Sequence, residues 1–313
     1  MKMTEFLHDK KLKTDDKKDS GNKSLNLSAI YVLAAGIFWG FMGTLVRTLN
    51  AEGLDSMAIT FVRALVTFLV MLAGLLLFDR KALKIRWKDI WCFIGTGAFS
   101  VAFFNFCYFK TMTLTSLSVA AIFLYTAPAF VMVMSAVLFG EKFTVRKTAA
   151  LILAFGGCVF VSGITGGGSV LSTAGILYGL GAGFGYALYS IFSRYALMRG
   201  YSSVTISFYT FLFSALASIF FTDAGTVLTV ITGSGMLLLK TILLVLFVTL
   251  LPYLSYTKGL SGMENGMASM IASIEPVVAT LVGVLLYEES LSVGNIIGML
   301  LVLGSIVLIN KKE

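Results

Sequence analysis

Ten times between residues 29 and 309 the chain runs through about 20 residues that are almost wholly apolar, the length a helix needs to cross a bilayer. The runs are Ala29–Leu49, Met57–Phe78, Ile90–Phe109, Leu117–Phe139, Thr148–Thr165, Ala174–Ser193, Ser202–Phe221, Leu237–Thr257, Gly266–Tyr287 and Val293–Ile309. Their apolar residues are continuous, without the in-out alternation of a barrel strand, so each is predicted to be a helix that satisfies its own backbone within the lipid. Composition supports this: 58% of residues are hydrophobic and 13% charged, with a mean hydropathy of +0.91, too little charge for a water-facing surface. Ten spans leave short loops and a tail, with little chain for a soluble catalytic domain. The expected fold class is therefore all-α, a polytopic membrane protein of ten transmembrane helices.

Residues 1–28 differ in kind, with seven lysines, five acidic residues, the only histidine (His8) and no apolar period. They are expected to form a disordered cytosolic tail. In a soluble protein the net charge of +8 would suggest nucleic acid, but here it reports topology. With the tail inside, 20 Lys and Arg residues fall on inner segments and two, Lys110 and Lys240, outside, while Arg47 and Arg63 lie within helices. That imbalance predicts cytoplasmic termini and no nucleic-acid partner. Cys92, Cys107 and Cys158 all sit in apolar runs, without disulfide or zinc spacing, and are expected to be packing residues.

A shift of 148 residues aligns Tyr108 with Tyr256, Lys110 with Lys258, Ala120 with Ala268, Pro128 with Pro276, Glu141 with Glu289, Val145 with Val293, Leu153 with Leu301, Gly156 with Gly304 and Val159 with Val307. The proline match is telling in a chain with three prolines. Five spans per copy is an odd number, so the second copy must enter the membrane inverted, the architecture of alternating access. The expected divisions are 1–28, a first repeat at 29–165 and an inverted second repeat at 174–310.

The motifs in these copies are F-W-G-F at Phe38–Phe41, F-G-Y at Phe184–Tyr186, F-V-R at Phe61–Arg63, a proline twelve residues before Gly140-Glu141, and Glu275-Pro276 followed by Tyr287-Glu288-Glu289. In order and spacing they resemble the EamA family of the drug/metabolite transporter superfamily, over residues 29–310. One departure is Tyr287-Glu288-Glu289 where the first copy has Gly140-Glu141. The resemblance implies a ten-helix secondary transporter with a central cavity, commonly an exporter of metabolites such as amino acids.

Glu275 is the only acidic residue deep within a span, where an ionisable group faces a cavity or a partner. Pro276 beside it removes a backbone donor and should free the Ala272 carbonyl on the same helix face, a site for a proton, a sodium ion or a substrate ammonium. The competing reading makes Glu275 a strut bonded to Arg63 or a tyrosine. Arg63 either clamps a substrate carboxylate or snorkels to the outer headgroups, and Arg47, near a helix end, is expected to snorkel. Trp39, Tyr125, Tyr186, Tyr189 and Tyr253 fall mid-span and either line a cavity or pack. Asn105 lies opposite Tyr253 at the 148 offset, and Tyr125 precedes Pro128 by three residues. Pro128, Pro252 and Pro276 are expected to kink their helices. No P-loop, H-E-x-x-H or G-x-S-x-G motif is present, so neither an enzyme nor an ATP-driven pump is expected, and no cofactor or metal.

The function expected is secondary-active transport of a small organic solute, metabolite or amino-acid-like, by alternating access, with export drawn from the resemblance. The partners would be the solute, the lipid bilayer and a proton or sodium ion, with the protein acting as a monomer or weak homodimer in the cell membrane. An importer of a cationic solute such as choline is the alternative. From a different class, a membrane-embedded enzyme acting on lipid or a non-transporting scaffold stays open.

Overall fold

The protein is described here by a computed structural model covering residues 25–162 and 172–311. No strand occurs among the described residues, and nine of their helices are long and apolar enough to cross a membrane. The first crossing is Leu25–Asn50, made of α1 (residues 25–40) and α2 (Met42–Asn50). It starts four residues before the expected Ala29, so residues 25–28 belong to the helix. The rest of the expected tail, with His8, lies outside the described residues.

The second crossing is α3 (Ser56–Phe78), started by Asp55, whose carboxylate accepts from the Ala58 N–H at 2.8 Å. The third, Trp87–Leu114, comprises α4 (Ile90–Ile94), a π-helical stretch at Gly95–Ala102 and α5 (Phe103–Leu114). The fourth divides into α6 (Leu117–Leu124) and α7 (Ala127–Phe139), and α8 follows at Val145–Val161. At 17 residues α8 falls below the length of the nine crossings, and the expected end of this run at Thr165 lies outside the described residues.

Beyond residue 171 come α9 (Thr173–Met198), α10 (Ser203–Ser218) and a short α11 (Ala224–Thr232) that no apolar run announced. The crossing Gly235–Leu260 holds α12 (Gly235–Val245), a π-helical stretch at Leu246–Leu250 and α13 (Leu251–Leu260). Next are α14 (Asn265–Ala272), α15 (Glu275–Tyr287) and α16 (Val293–Asn310).

Two runs are thus broken midway, at prolines expected to kink them. The cause is local. Pro128 and Pro276 have no N–H to give the carbonyls four residues back, at Leu124 and Ala272, and α6 and α14 end at those residues. Each proline then takes the second position of the next helix, where no N–H is required. Pro252 occupies the same position of α13, after the π-helical stretch. The expectation that Ala272 and Glu275 share one helix face is therefore corrected: they end and begin different helices.

Helices α8 and α16 pack tightly against each other. A Cβ on Gly157 would lie 2.7 Å from the Gly298 carbonyl and one on Gly298 2.6 Å from the Gly157 carbonyl, so only glycine permits this approach. Asn295 fixes the same contact by donating from Nδ2 to the Val161 carbonyl at 2.8 Å. Exposed apolar side chains along the helices, among them Val137, Leu285, Leu300 and Val307, form an outer surface suited to lipid.

Candidate functional site

Glu275 opens α15, the eleventh residue of the crossing Asn265–Tyr287, so its carboxylate stands at a helix N-terminus within the apolar layer. The positive end of the α15 dipole makes that position tolerable for an anion. The Tyr186 hydroxyl donates to Glu275 Oε2 at 3.4 Å, a long bond from α9. Arg63, from α3, is buried, and its Nε donates to Thr249 Oγ1 at 3.1 Å in the second π-helical stretch. Burial removes the snorkelling alternative for Arg63, because its guanidinium is held inside the bundle. The strut through Arg63 is absent too: no ion pair joins Arg63 and Glu275 among the described residues.

Both charges instead border a cavity of ≈ 440 Å³. Six of the eight site residues expected from the sequence line it: Trp39, Arg63, Asn105, Tyr186, Tyr253 and Glu275. Asn105 Nδ2 donates to the Val101 carbonyl at 2.7 Å, one turn back on its own helix. The aromatic wall is built edge to face, with Trp39 at 5.4 Å from Tyr253 and 6.3 Å from Tyr186 between ring centres.

Tyr125 and Tyr189 stand apart from this cavity. Tyr125 lies on the other side of Glu275, in a pocket of ≈ 30 Å³ shared with Pro128, Tyr186 and Pro276. Tyr189 is a buried support. Its hydroxyl shares a 2.6 Å hydrogen bond with Thr257, and its ring meets Tyr253 edge-on at 4.9 Å. Pro252 is buried without lining the cavity.

Sequence reading passed over Tyr108, Ser56, Thr60, Asn50 and Tyr256. The first four line the cavity, and Tyr256 is buried outside its lining, bonded to Ser190 at 2.7 Å with its ring 5.4 Å from Trp39. A signal existed for some of them: Thr60 and Ser56 precede Arg63 by three and seven residues, and Tyr108 follows Asn105 by three, all spacings that share a helix face. Arg47, expected near a helix end, is half-exposed. It borders the cavity, pairs with Glu289 and sits 4.0 Å above the Tyr287 ring.

The half-exposed Arg47 therefore borders the same aromatic-walled cavity as the buried cation Arg63 and the partly buried carboxylate Glu275, which stand at different points of its wall. Such a chamber can hold a small solute by both its charges and its apolar part. Among the described residues no group of His, Cys, Asp and Glu is arranged to hold a metal ion.

Known proteins place this architecture. The EamA-like transporter family matches the chain twice, over residues 26–163 and 173–311. An uncharacterized transporter of Archaeoglobus fulgidus is 26% identical over 280 residues, covering 88% of this chain and 96% of its own. The uncharacterized transporter YwfM of Bacillus subtilis is 26% identical over 90% of this chain and 94% of its own, and the uncharacterized inner membrane transporter YicL of Salmonella typhimurium 23% over 89% and 93%. A crystal structure superposes with a TM-score of 0.74 at 19% identity, over 90% of this chain and 96% of that one, a likeness of fold. With nine membrane-length helices among the described residues and a double family match, the chain is a multi-pass membrane protein that belongs to the EamA-like transporter family.

Proposed function

We propose that the chain is a ten-helix secondary-active carrier that exports a small zwitterionic organic solute by alternating access, coupled to a proton or sodium gradient. The observation that carries this is the ≈ 440 Å³ cavity with Arg63 and Glu275 both in its wall and not paired with each other. A solute bearing a carboxylate and an ammonium would satisfy both, and Trp39, Tyr186 and Tyr253 would cover its apolar part. The volume lies within the ordinary range of small-molecule sites.

Element boundaries support two inverted repeats, 29–165 and 174–310. Leu25–Asn50 and Thr173–Met198 are 148 residues apart at both ends, as are α6 and α14, and α7 and α15. The two π-helical stretches end at Ala102 and Leu250, again 148 apart. On this reading α8 is the tenth crossing, equivalent to α16. The 20-to-2 division of Lys and Arg supports cytoplasmic termini in the cell membrane, so the cavity mouth at Arg47 faces outward. The direction of transport rests on the family resemblance.

A cationic solute such as choline is the second reading, favoured by the aromatic wall and opposed by Arg63. Thermal denaturation of the purified protein with amino acids, quaternary amines and sugar phosphates decides between them. Amino acids are expected to raise the midpoint in wild type and not in Arg63→Ala; a rise with quaternary amines alone would replace the zwitterion by the cation.

A further inference from the structure

Two spans end on the same acidic position, Glu141 after α7 and Glu289 after α15, and the two carboxylates are engaged differently. Glu141 reaches across to the start of α14. Its Oε1 accepts from the Asn265 N–H at 2.7 Å and its Oε2 from the Gly266 N–H at 3.1 Å. It thereby caps a helix whose own leading residue, Glu264, does not cap it with its side chain. The surroundings complete a seal. Arg194 donates from Nε to Asn265 Oδ1 at 2.7 Å and from Nη2 to the Met263 carbonyl, Asn265 Nδ2 donates to Ser135 Oγ at 2.9 Å, and Lys147 pairs with Glu264. Asn265 is fully buried, and α14 packs along α7.

At the opposite end the equivalent parts are separated. Glu289 pairs with Arg47, and both side chains are about half exposed, at 47% and 51%. The first turn of α6 is capped by Ser116, whose Oγ accepts from the Val119 N–H at 3.2 Å. Helices α6 and α15 are not packed together as α14 and α7 are. The large cavity reaches both, with Leu124 of α6 and Glu275 and Ala279 of α15 in its wall.

We propose that Glu141 and Glu289 are alternating latches of the transport cycle, positioning residues that each close one end of the cavity by capping the facing half-helix. In the state described here Glu141 holds α14 and the Glu289 end is open. In the opposite state Glu289 leaves Arg47 and accepts from the N–H groups of Leu117 and Ser118, the positions 148 residues before Asn265 and Gly266, while Glu141 releases α14. A carboxylate on helix N–H groups is a strong, charge-assisted contact that forms or breaks as a unit, which suits a two-state element. Arg194 makes the two ends unequal, since its equivalent position is Val46, and so favours the state in which the Glu141 end is sealed. This inference rests on the alternating-access reading.

The test uses single cysteines in protein lacking Cys92, Cys107 and Cys158, held in lipid nanodiscs so that both faces meet a membrane-impermeant maleimide. Gly43→Cys reports the open end, because it lines the cavity and a Cβ there meets nothing within 4 Å. Ser269→Cys, buried in α14, reports the sealed end. Adding Glu141→Gln is expected to speed labelling at Ser269→Cys by roughly tenfold and slow it at Gly43→Cys, and Arg194→Ala to act in the same direction. Glu289→Gln is expected to do the reverse. Opposed movement of the two reporters also excludes unfolding, which would speed both. Reporters that rise together, or that ignore both carboxylate variants although wild type labels at each end, overturn the latch. A wild-type Ser269→Cys that never reacts while Gly43→Cys does overturns alternating access, and the latch with it.

Discussion

At the residue scale, the legible signal was a charge in an apolar run. Glu275 and Arg63 were visible because an ionisable group in lipid is costly and must have a destination. Which destination was not visible. The bond from Arg63 to Thr249 joins positions 186 apart, and that from Tyr186 to Glu275 joins positions 89 apart, and no local pattern encodes either. The partners of Arg47, Glu289 and Tyr287, are likewise supplied by a distant helix end. If Arg63 grips a substrate carboxylate, Arg63→Ala should weaken solute binding about 10- to 100-fold, the loss of a charge-assisted contact worth roughly 1.5–3 kcal/mol, measured by equilibrium binding to purified protein. Glu275→Gln should abolish the pH dependence of transport in vesicles between about pH 5 and 8 while folded protein persists in the membrane. Wild-type pH dependence in that variant would remove Glu275 from coupling.

At the element scale, approximate ends were readable from apolar length, and nine of the ten expected runs form membrane-length helices among the described residues, but the interior of the spans was not readable. Prolines announced an interruption. That Pro128 and Pro276 would begin new half-helices, placing Glu275 on a helix N-terminus, depended on how the broken chain repacked. The π-helical stretches carry no sequence mark of comparable strength. Gly95 lies within 2.6 Å, at its notional Cβ, of three ring atoms of Phe192, so the backbone there is shaped by a neighbouring helix. The turns after α7 and α15 differ in sequence, yet Gly140 and Glu288 both adopt left-handed backbone, at φ 69° and 55°. Gly140→Ala should therefore destabilise the protein by about 1 kcal/mol, whereas Glu288→Gly should not, as read from paired thermal denaturation curves.

At the scale of the whole molecule, α8 and α16 touch backbone to backbone through Gly157 and Gly298. Gly157→Val would drive two methyl groups into the Gly298 carbonyl and Val302, and should lower stability by about 1–3 kcal/mol; an unchanged melting midpoint would show that the helices can separate freely. Apolar length, the sign and placement of Lys and Arg, and the matches at 148 residues are properties of the chain alone. They determined that it is an all-helical membrane protein and which buried charges it must accommodate, because the cost of polar groups in lipid acts on every residue wherever it lies. The tertiary structure decided what those charges do. Only when distant helices are packed does Arg63 share a cavity wall with Glu275 and not bond to it, and only then does Glu141 close one end while Glu289 leaves the other open. Such pairings depend on distances between segments a hundred or more residues apart, which local sequence does not specify.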